Sequence, residues 1–227
     1  MSDTRLKLEF SIERAHKTQT SLSEHIIFED KIPKKIHFVG GVDVAYAKDV
    51  SIGAAAVLEF DSLKLKESKT AVCKTLFPYI PTLLSFREIP PSVLAIQKLS
   101  IQPDVFLVDG HGYAHPYRCG FASHLGLAIG KPTIGVAKGK LIGDLQSSKT
   151  DTDTVFIHHK GEIIGAQITP KPGWKPIYVS VGHMISLATA IKTVKQCAIR
   201  SSIPEPITMA HKVATAEKRK INIPIQT

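Results

Sequence analysis

The stretch DVFLVDGHGYAHPYRCGFASHLGLAIG, Asp104–Gly130, decides how this chain is organised. DVFLVDG is a short apolar run ending in an acid, which predicts a buried strand delivering Asp109 to its carboxyl end. GHGYAHP crowds two glycines, two histidines and a proline into a loop. RCGFASHLGLAIG has helical spacing, and Gly130 is placed to cap its end. PTIGVAK, which follows, is a second buried strand. Strand, loop, helix and strand in that order belong to an α/β sheet.

Upstream, KKIHFVGGVDVAYA, SIGAAAVLEF and LKLKESKTAVCKTLF read as three strands. Their short connections favour antiparallel pairing. FPYIPTLLSFREIPP predicts a proline-punctuated loop with a short helical core, and SVLAIQKLS continues as helix. Downstream, DTVFIHH and EIIGAQIT flank a Lys160–Gly161 turn and predict a hairpin. PIYVSVG is a further strand, and HMISLATAIKTVKQCAI an amphipathic helix. A helical arm within residues 1–35 and a proline-broken, basic tail at 201–227 frame the rest. The sum is one α/β domain over 1–227. Its mixed sheet has three antiparallel strands followed by parallel ones, with helices on both faces. Ligands of such sheets gather at the carboxyl ends of the strands.

Composition narrows the partners. Lys and Arg outnumber Asp and Glu by 29 to 20, a net charge of +9. Such an excess attracts polyanions, nucleic acid above all. No apolar run is long enough to cross a bilayer, so no membrane partner is expected. No basic segment followed by an apolar one opens the chain. The three cysteines form no CxxC pair, so neither a disulfide framework nor a zinc–thiolate site is expected. A reducing, cytoplasmic setting follows.

Three acids stand out by context. Asp43 sits inside VGGVDVAY, where an unpaired carboxylate needs a cation or hydrogen bonds. Glu88 follows SFR, and Asp109 ends its strand. Each has an ordinary alternative: Glu88 can pair with Arg87, and Asp109 can cap the next helix. If the three converge, their oxygens suit Mg²⁺, with Mn²⁺ able to substitute. Such an ion can activate the cleavage of a phosphodiester. Lys138 and Lys140, just after a strand, would neutralise phosphate. His111 and His115 lie four apart, but the surrounding glycines and proline argue for a loop, so HxxxH is a weak zinc signal. FPYIP places Tyr79 and Ile80 between Pro78 and Pro81, a stiff loop able to present an aromatic wedge to stacked bases. The alternative is Tyr79 packed inward in a turn.

Taken together, FPYIPTLLSFREIPP, PDVFLVDGHGYAHPYRCGFASHLGL, KPTIGVAKGKL and VSVGHMISLATA closely resemble the endonuclease V family. VGGVDVAYA resembles that family's first metal-site strand. The resemblance runs in order from about Val39 to Pro206. It implies a ribonuclease H-like fold and Mg²⁺-dependent cleavage at deaminated bases, chiefly hypoxanthine. The implied cut falls at the second phosphodiester 3′ of the lesion and leaves 3′-hydroxyl and 5′-phosphate ends. By the same resemblance Asp43, Glu88 and Asp109 bind metal, and Tyr79 with Pro78, Ile80 and Pro81 forms the wedge. Gly110 and Gly112 belong to the pocket for the flipped base. His115 and Lys138 stand near the base and the scissile phosphate. His211 falls where many members carry Asp, and Thr82 where many carry Gly.

The expected function is therefore a magnesium-dependent endonuclease of inosine-containing DNA serving DNA repair, acting as a monomer, with RNA left open as a substrate. The rivals are another ribonuclease H-like, structure-selective nuclease and a non-catalytic nucleic-acid binder of the same fold. A hydrolase of small phosphate esters is a third, which the basic charge disfavours.

Overall fold

The computed structural model describes residues 11–146 and 153–222. Residues 1–10 of the expected arm and 223–227 of the expected tail lie outside them. The nine strands of the described residues form one sheet in the order β3-β2-β1-β4-β5-β9-β8-β7-β6. The first three strands, β1 (Phe38–Ala47), β2 (Val50–Glu59) and β3 (Leu65–Lys74), are an antiparallel meander, as their short connections require. β4 (Val105–Asp109) pairs parallel with β1, and β5 (Thr133–Ala137) parallel with β4.

The parallel part ends there, sooner than the sequence suggested. β6 (Asp144–Gln146), β7 (Thr154–His159), β8 (Glu162–Ile168) and β9 (Ile177–His183) form a second antiparallel meander, whose last strand returns beside β5. The described links β7–β8 and β8–β9 hold no crossover helix, which parallel pairing would need. Lys160 and Gly161 both have positive φ, at 55° and 83°, and make the expected hairpin turn between β7 and β8.

Helices cover both faces. On one face α2 (Leu84–Gln97) and α3 (Phe121–Ile129) bury Ala95, Ile96, Phe121 and Leu125 against Val42, Val57, Phe106 and Val108. On the other, α4 (Leu187–Cys197) and α5 (Glu205–Asn222) bury Ala190, Val194, Ile207 and Ala210 against Val39, Leu107, Ile134 and Val179. Central strands buried on both sides must be apolar throughout, which is why VFLV shows no alternation. α1 (Ile12–Ser23) is capped by the Ser11 side chain and braces Thr82 of the pocket wall described below.

Two segments differ from expectation. α2 runs unbroken through Pro90 and Pro91. These residues lack the N–H groups that would bond the Phe86 and Arg87 carbonyls. Packing holds the turn instead: Gly53 of β2 has no Cβ, and any would collide with the Pro91 carbonyl. Residues 205–222, read as part of a tail, form the long helix α5. Its proline, Pro206, is only the second helical residue, where no intrahelical N–H bond is lost.

Candidate active site

Three chain segments meet at the carboxyl ends of β1, β4 and β5. Val42 registers with Val108, so Asp43 and Asp109 follow as neighbours on adjacent parallel strands. Both share the side-chain parity of Val39 and Leu107 and so face α5. Gly41 lets α5 approach, because a Cβ there would run into the Pro206 carbonyl. One turn further along the helix, His211 Nδ1 lies 2.8 Å from Asp43 Oδ2. The Val44 N–H donates to Asp43 Oδ1 at 2.8 Å. Lys138, the residue after β5, places Nζ 3.0 Å from Asp109 Oδ2.

Glu88 comes from α2, on the opposite face, and is buried at 7% exposure. The Tyr46 hydroxyl donates to its Oε1 at 3.1 Å. The Arg87 guanidinium lies 4.0 Å over the Tyr46 ring, so its charge reaches this group too. The electrostatics are those of acids held without enough positive charge. Burial pushes the Glu88 carboxyl up to about 8, and the Asp43 and Asp109 charges push the same way against Tyr46 and Arg87. Burial and Asp109 also raise Asp43, which His211 and the Val44 N–H pull back. A site that destabilises carboxylates attracts a cation. The donors are carboxylate oxygens, the set a hard divalent ion prefers. As the side chains stand, no three His, Cys, Asp or Glu among the described residues are close enough together to hold a metal ion.

Beside Asp109 opens a cavity of about 200 Å³. Tyr79, Ile80 and Pro81 line one wall, and Gly110, His111 and His115 the other. That is below the roughly 300–1,000 Å³ of pockets for drug-sized ligands. Tyr79 is 70% exposed, so it is presented rather than packed inward. Pro78 is exposed beside it and does not line the cavity. Gly112 does not line it either. It is buried beneath the loop, where its N–H donates to Ser180 Oγ at 2.9 Å and a Cβ would strike the Val181 carbonyl.

His115 is buried, and burial together with the nearby His111 lowers its imidazole to about 4, so it is neutral at pH 7. Its Nδ1 accepts from the Tyr117 N–H at 3.2 Å, and the ring also bonds the Thr82 backbone. The ring is thus held in place and serves as wall. Thr82 adopts φ +71°, the left-handed region, which explains why glycine suits this position. Here two α1 side chains hold the strained residue. Gln19 Nε2 donates to the Thr82 carbonyl at 2.8 Å, and His16 Nε2 lies 3.2 Å from Thr82 Oγ1. Gln19 Nε2 also reaches the Cys119 carbonyl at 3.0 Å. Tyr46 and Gln19 were not singled out from the sequence, and Arg87 was named there only as an ordinary ion-pair partner for Glu88. Tyr46 was the findable one, three residues beyond Asp43 at the strand's carboxyl end.

The model of the endonuclease V family matches residues 20–212. This chain belongs to the endonuclease V family. It is 41% identical over 216 residues to the endonuclease V of Thermofilum pendens, covering 95% of this chain and 92% of that protein. To the endonuclease V of Rippkaea orientalis it is 44% identical over 218 residues, covering 94% of each. The crystal structure of Streptomyces avermitilis endonuclease V superposes with a TM-score of 0.87 at 33% identity, covering 94% of this chain and 95% of that one. That of Ciona intestinalis endonuclease V gives 0.84 at 36% identity, covering 93% of this chain and 99% of that one; it holds a 24mer DNA with an inosine followed by a ribo-adenosine. The mixed sheet is accordingly ribonuclease H-like. Membership of the endonuclease V family makes the chain a nuclease, a hydrolase of phosphodiester bonds. No helix of the described residues is long and apolar enough to cross a membrane.

Proposed function

We propose that this endonuclease V recognises hypoxanthine in DNA and cuts the second phosphodiester 3′ of it, leaving 3′-hydroxyl and 5′-phosphate ends. Its role is DNA repair, its cofactor Mg²⁺ with Mn²⁺ able to replace it, and its working unit the monomer. The observation that carries this reading is the small cavity beginning one residue after Asp109, between an exposed tyrosine and a glycine–histidine loop. A base leaves its stack only if something fills the gap and something receives it. Tyr79, stiffened by Pro78 and Pro81, fills the gap, and the cavity receives the base. The inosine-bearing DNA held by the Ciona relative supports the choice of lesion.

Asp43, Asp109 and Glu88 would hold the ion, after turning from the partners they have here. When bound, a divalent cation supplies Lewis-acid charge at the phosphate and makes water more acidic. The protein's own groups do the rest. Lys138, exposed beside Asp109, carries an ammonium charge to offset the charge gathering on the phosphoryl oxygens. His211 fixes the orientation of Asp43. Glu88, whose carboxyl burial pushes up to about 8, would have to lose its proton to act as a ligand. Gly110 keeps the rim low, so a nucleotide backbone can approach. His115, neutral and held by the Tyr117 N–H, shapes the cavity without adding charge.

The test is a pair of single strands, identical but for one deoxyinosine in place of deoxyadenosine, incubated with Mg²⁺. A single cut, two linkages 3′ of the inosine and lost in Asp109→Asn, is the expected result. Cutting independent of inosine favours a structure-selective nuclease. Binding without cutting favours a non-catalytic module.

A further inference from the structure

On the other side of the reaction centre from the small cavity lies a larger groove of about 660 Å³. Asp109 stands between the two hollows. Its successors Gly110 and His111 line the first, and its ion-pair partner Lys138 lines the second. One wall of the groove is the turn before β9, with Trp174 and Lys175; the other is the α4–α5 link, with Arg200 and Ser202. Its lining includes three cations, Lys138, Lys175 and Arg200, and no carboxylate. Trp174 is the one tryptophan of the sequence, and it sits half-buried at this rim rather than in the core.

The groove is preformed. Lys171 Nζ donates to the Ile199 carbonyl at 2.9 Å, tying one wall to the other, and sits 4.9 Å over the Trp174 ring. The Ser202 hydroxyl bonds the Lys175 carbonyl, a second tie. Pro172 and Pro176 bracket the turn, and Gly173 takes φ +80°. A rigid indole among cations is how proteins hold single-stranded nucleic acid: bases stack on the ring and the backbone follows the charge.

We propose that this groove binds a flank of the strand being cut, with a base against Trp174 and phosphates along Lys175 and Arg200. The proposal rests on the nuclease reading above and extends it to a contact outside the base cavity and the carboxylates. It makes the groove a handle on affinity. The chemistry stays with Asp43, Asp109 and Lys138.

The experiment uses Trp174→Ala and, because the indole also packs, the exposed-site variant Lys175→Gln. Each is assayed on a single strand with one deoxyinosine and flanks of about ten nucleotides, and on versions trimmed close to the cut on the 5′ or the 3′ side. The expected result is KM raised about tenfold by Trp174→Ala on the long strand, with kcat unchanged. The defect disappears when one particular flank is trimmed, which tells which flank the groove holds. Lys175→Gln also lowers the slope of log affinity against log salt by about 0.7, one single-strand phosphate contact. An equal defect on long and trimmed strands, or none in either variant, overturns the proposal. Should the wild type cut no inosine strand, the function above fails instead. Anisotropy of a labelled plain single strand still reads the groove, weaker in both variants if it binds there and unchanged if it does not.

Discussion

His211 on the last helix and Asp43 on the first strand meet at 2.8 Å, 168 residues apart in the chain. The contact exists because Gly41, two residues before Asp43, lets α5 settle onto β1. One face of the sheet thus sets the orientation of a carboxylate whose neighbours on the other face, Glu88 and Tyr46, come from α2 and β1. His211→Ala frees Asp43 Oδ2 while leaving the fold intact, since its side chain is 62% exposed. Removing a group that orients a metal ligand costs about 10–100-fold in activity or metal affinity. A Mg²⁺ titration of cleavage should show a loss of that size. Unchanged activity at every Mg²⁺ concentration would show that the histidine is a bystander.

Gly41→Ala tests the same contact from the sheet. The added methyl meets backbone, which cannot rotate away, so α5 must shift. Overpacking of this kind costs about 1–3 kcal/mol, or roughly 5 °C in Tm for a chain of this size. Thermal melts should show that drop, together with a larger loss of cleavage than stability alone explains at 25 °C. A stable variant with full activity would mean α5 has slack.

Glu88 gives a pH dependence. Its folded value near 8 exceeds its ordinary 4.5, so between those values the folded protein holds a proton that the unfolded chain has released. Stability contributed by this group is complete below 4.5 and declines as pH rises toward 8. Glu88→Gln removes the penalty. In chelator, its Tm advantage over the wild type should be larger at pH 8 than at pH 5, while cleavage in Mg²⁺ is lost. An advantage that is flat with pH would mean Glu88 is not the group being strained.

Tyr79 is exposed, so its removal touches little of the fold. Tyr79→Ala should leave Tm within about 1 °C, as for other surface positions. It should reduce the preference for inosine over adenine strands by about tenfold, the lower range for one lost aromatic–base stack. Competition cleavage of the two strands reads this ratio directly. An equal fall in both rates would assign Tyr79 to general binding.

Much of this was legible in the sequence, for physical reasons. Continuous apolar runs such as VFLV mark strands covered on both faces, and an acid at the end of one marks a site. The Lys160–Gly161 turn and the Gly130 cap are local chemistry and need no tertiary information. What could not be read depended on distant packing. α2 crosses two prolines packed on β2, where Gly53, far earlier in the chain, leaves room for the Pro91 carbonyl. The parallel run stops at β5 because the next four strands, β6 to β9, fold as a meander, a choice that strand patterns alone leave open. The basic groove joins Lys138, Trp174 and Arg200 from three separate elements, and no spacing links them. His115 was readable as a pocket residue, but not that burial keeps it neutral.

In the function proposed here, Asp43 and Asp109, side by side on parallel strands, form the cutting centre next to a cavity for one everted base. The most direct measurement is end-mapping of a DNA strand with a single deoxyinosine, in Mg²⁺, for the wild type and for Asp43→Asn at equal folded concentration. The expected result is one wild-type cut, at the second linkage 3′ of the inosine, and none from the variant. A variant that still cuts there at the wild-type rate would contradict it.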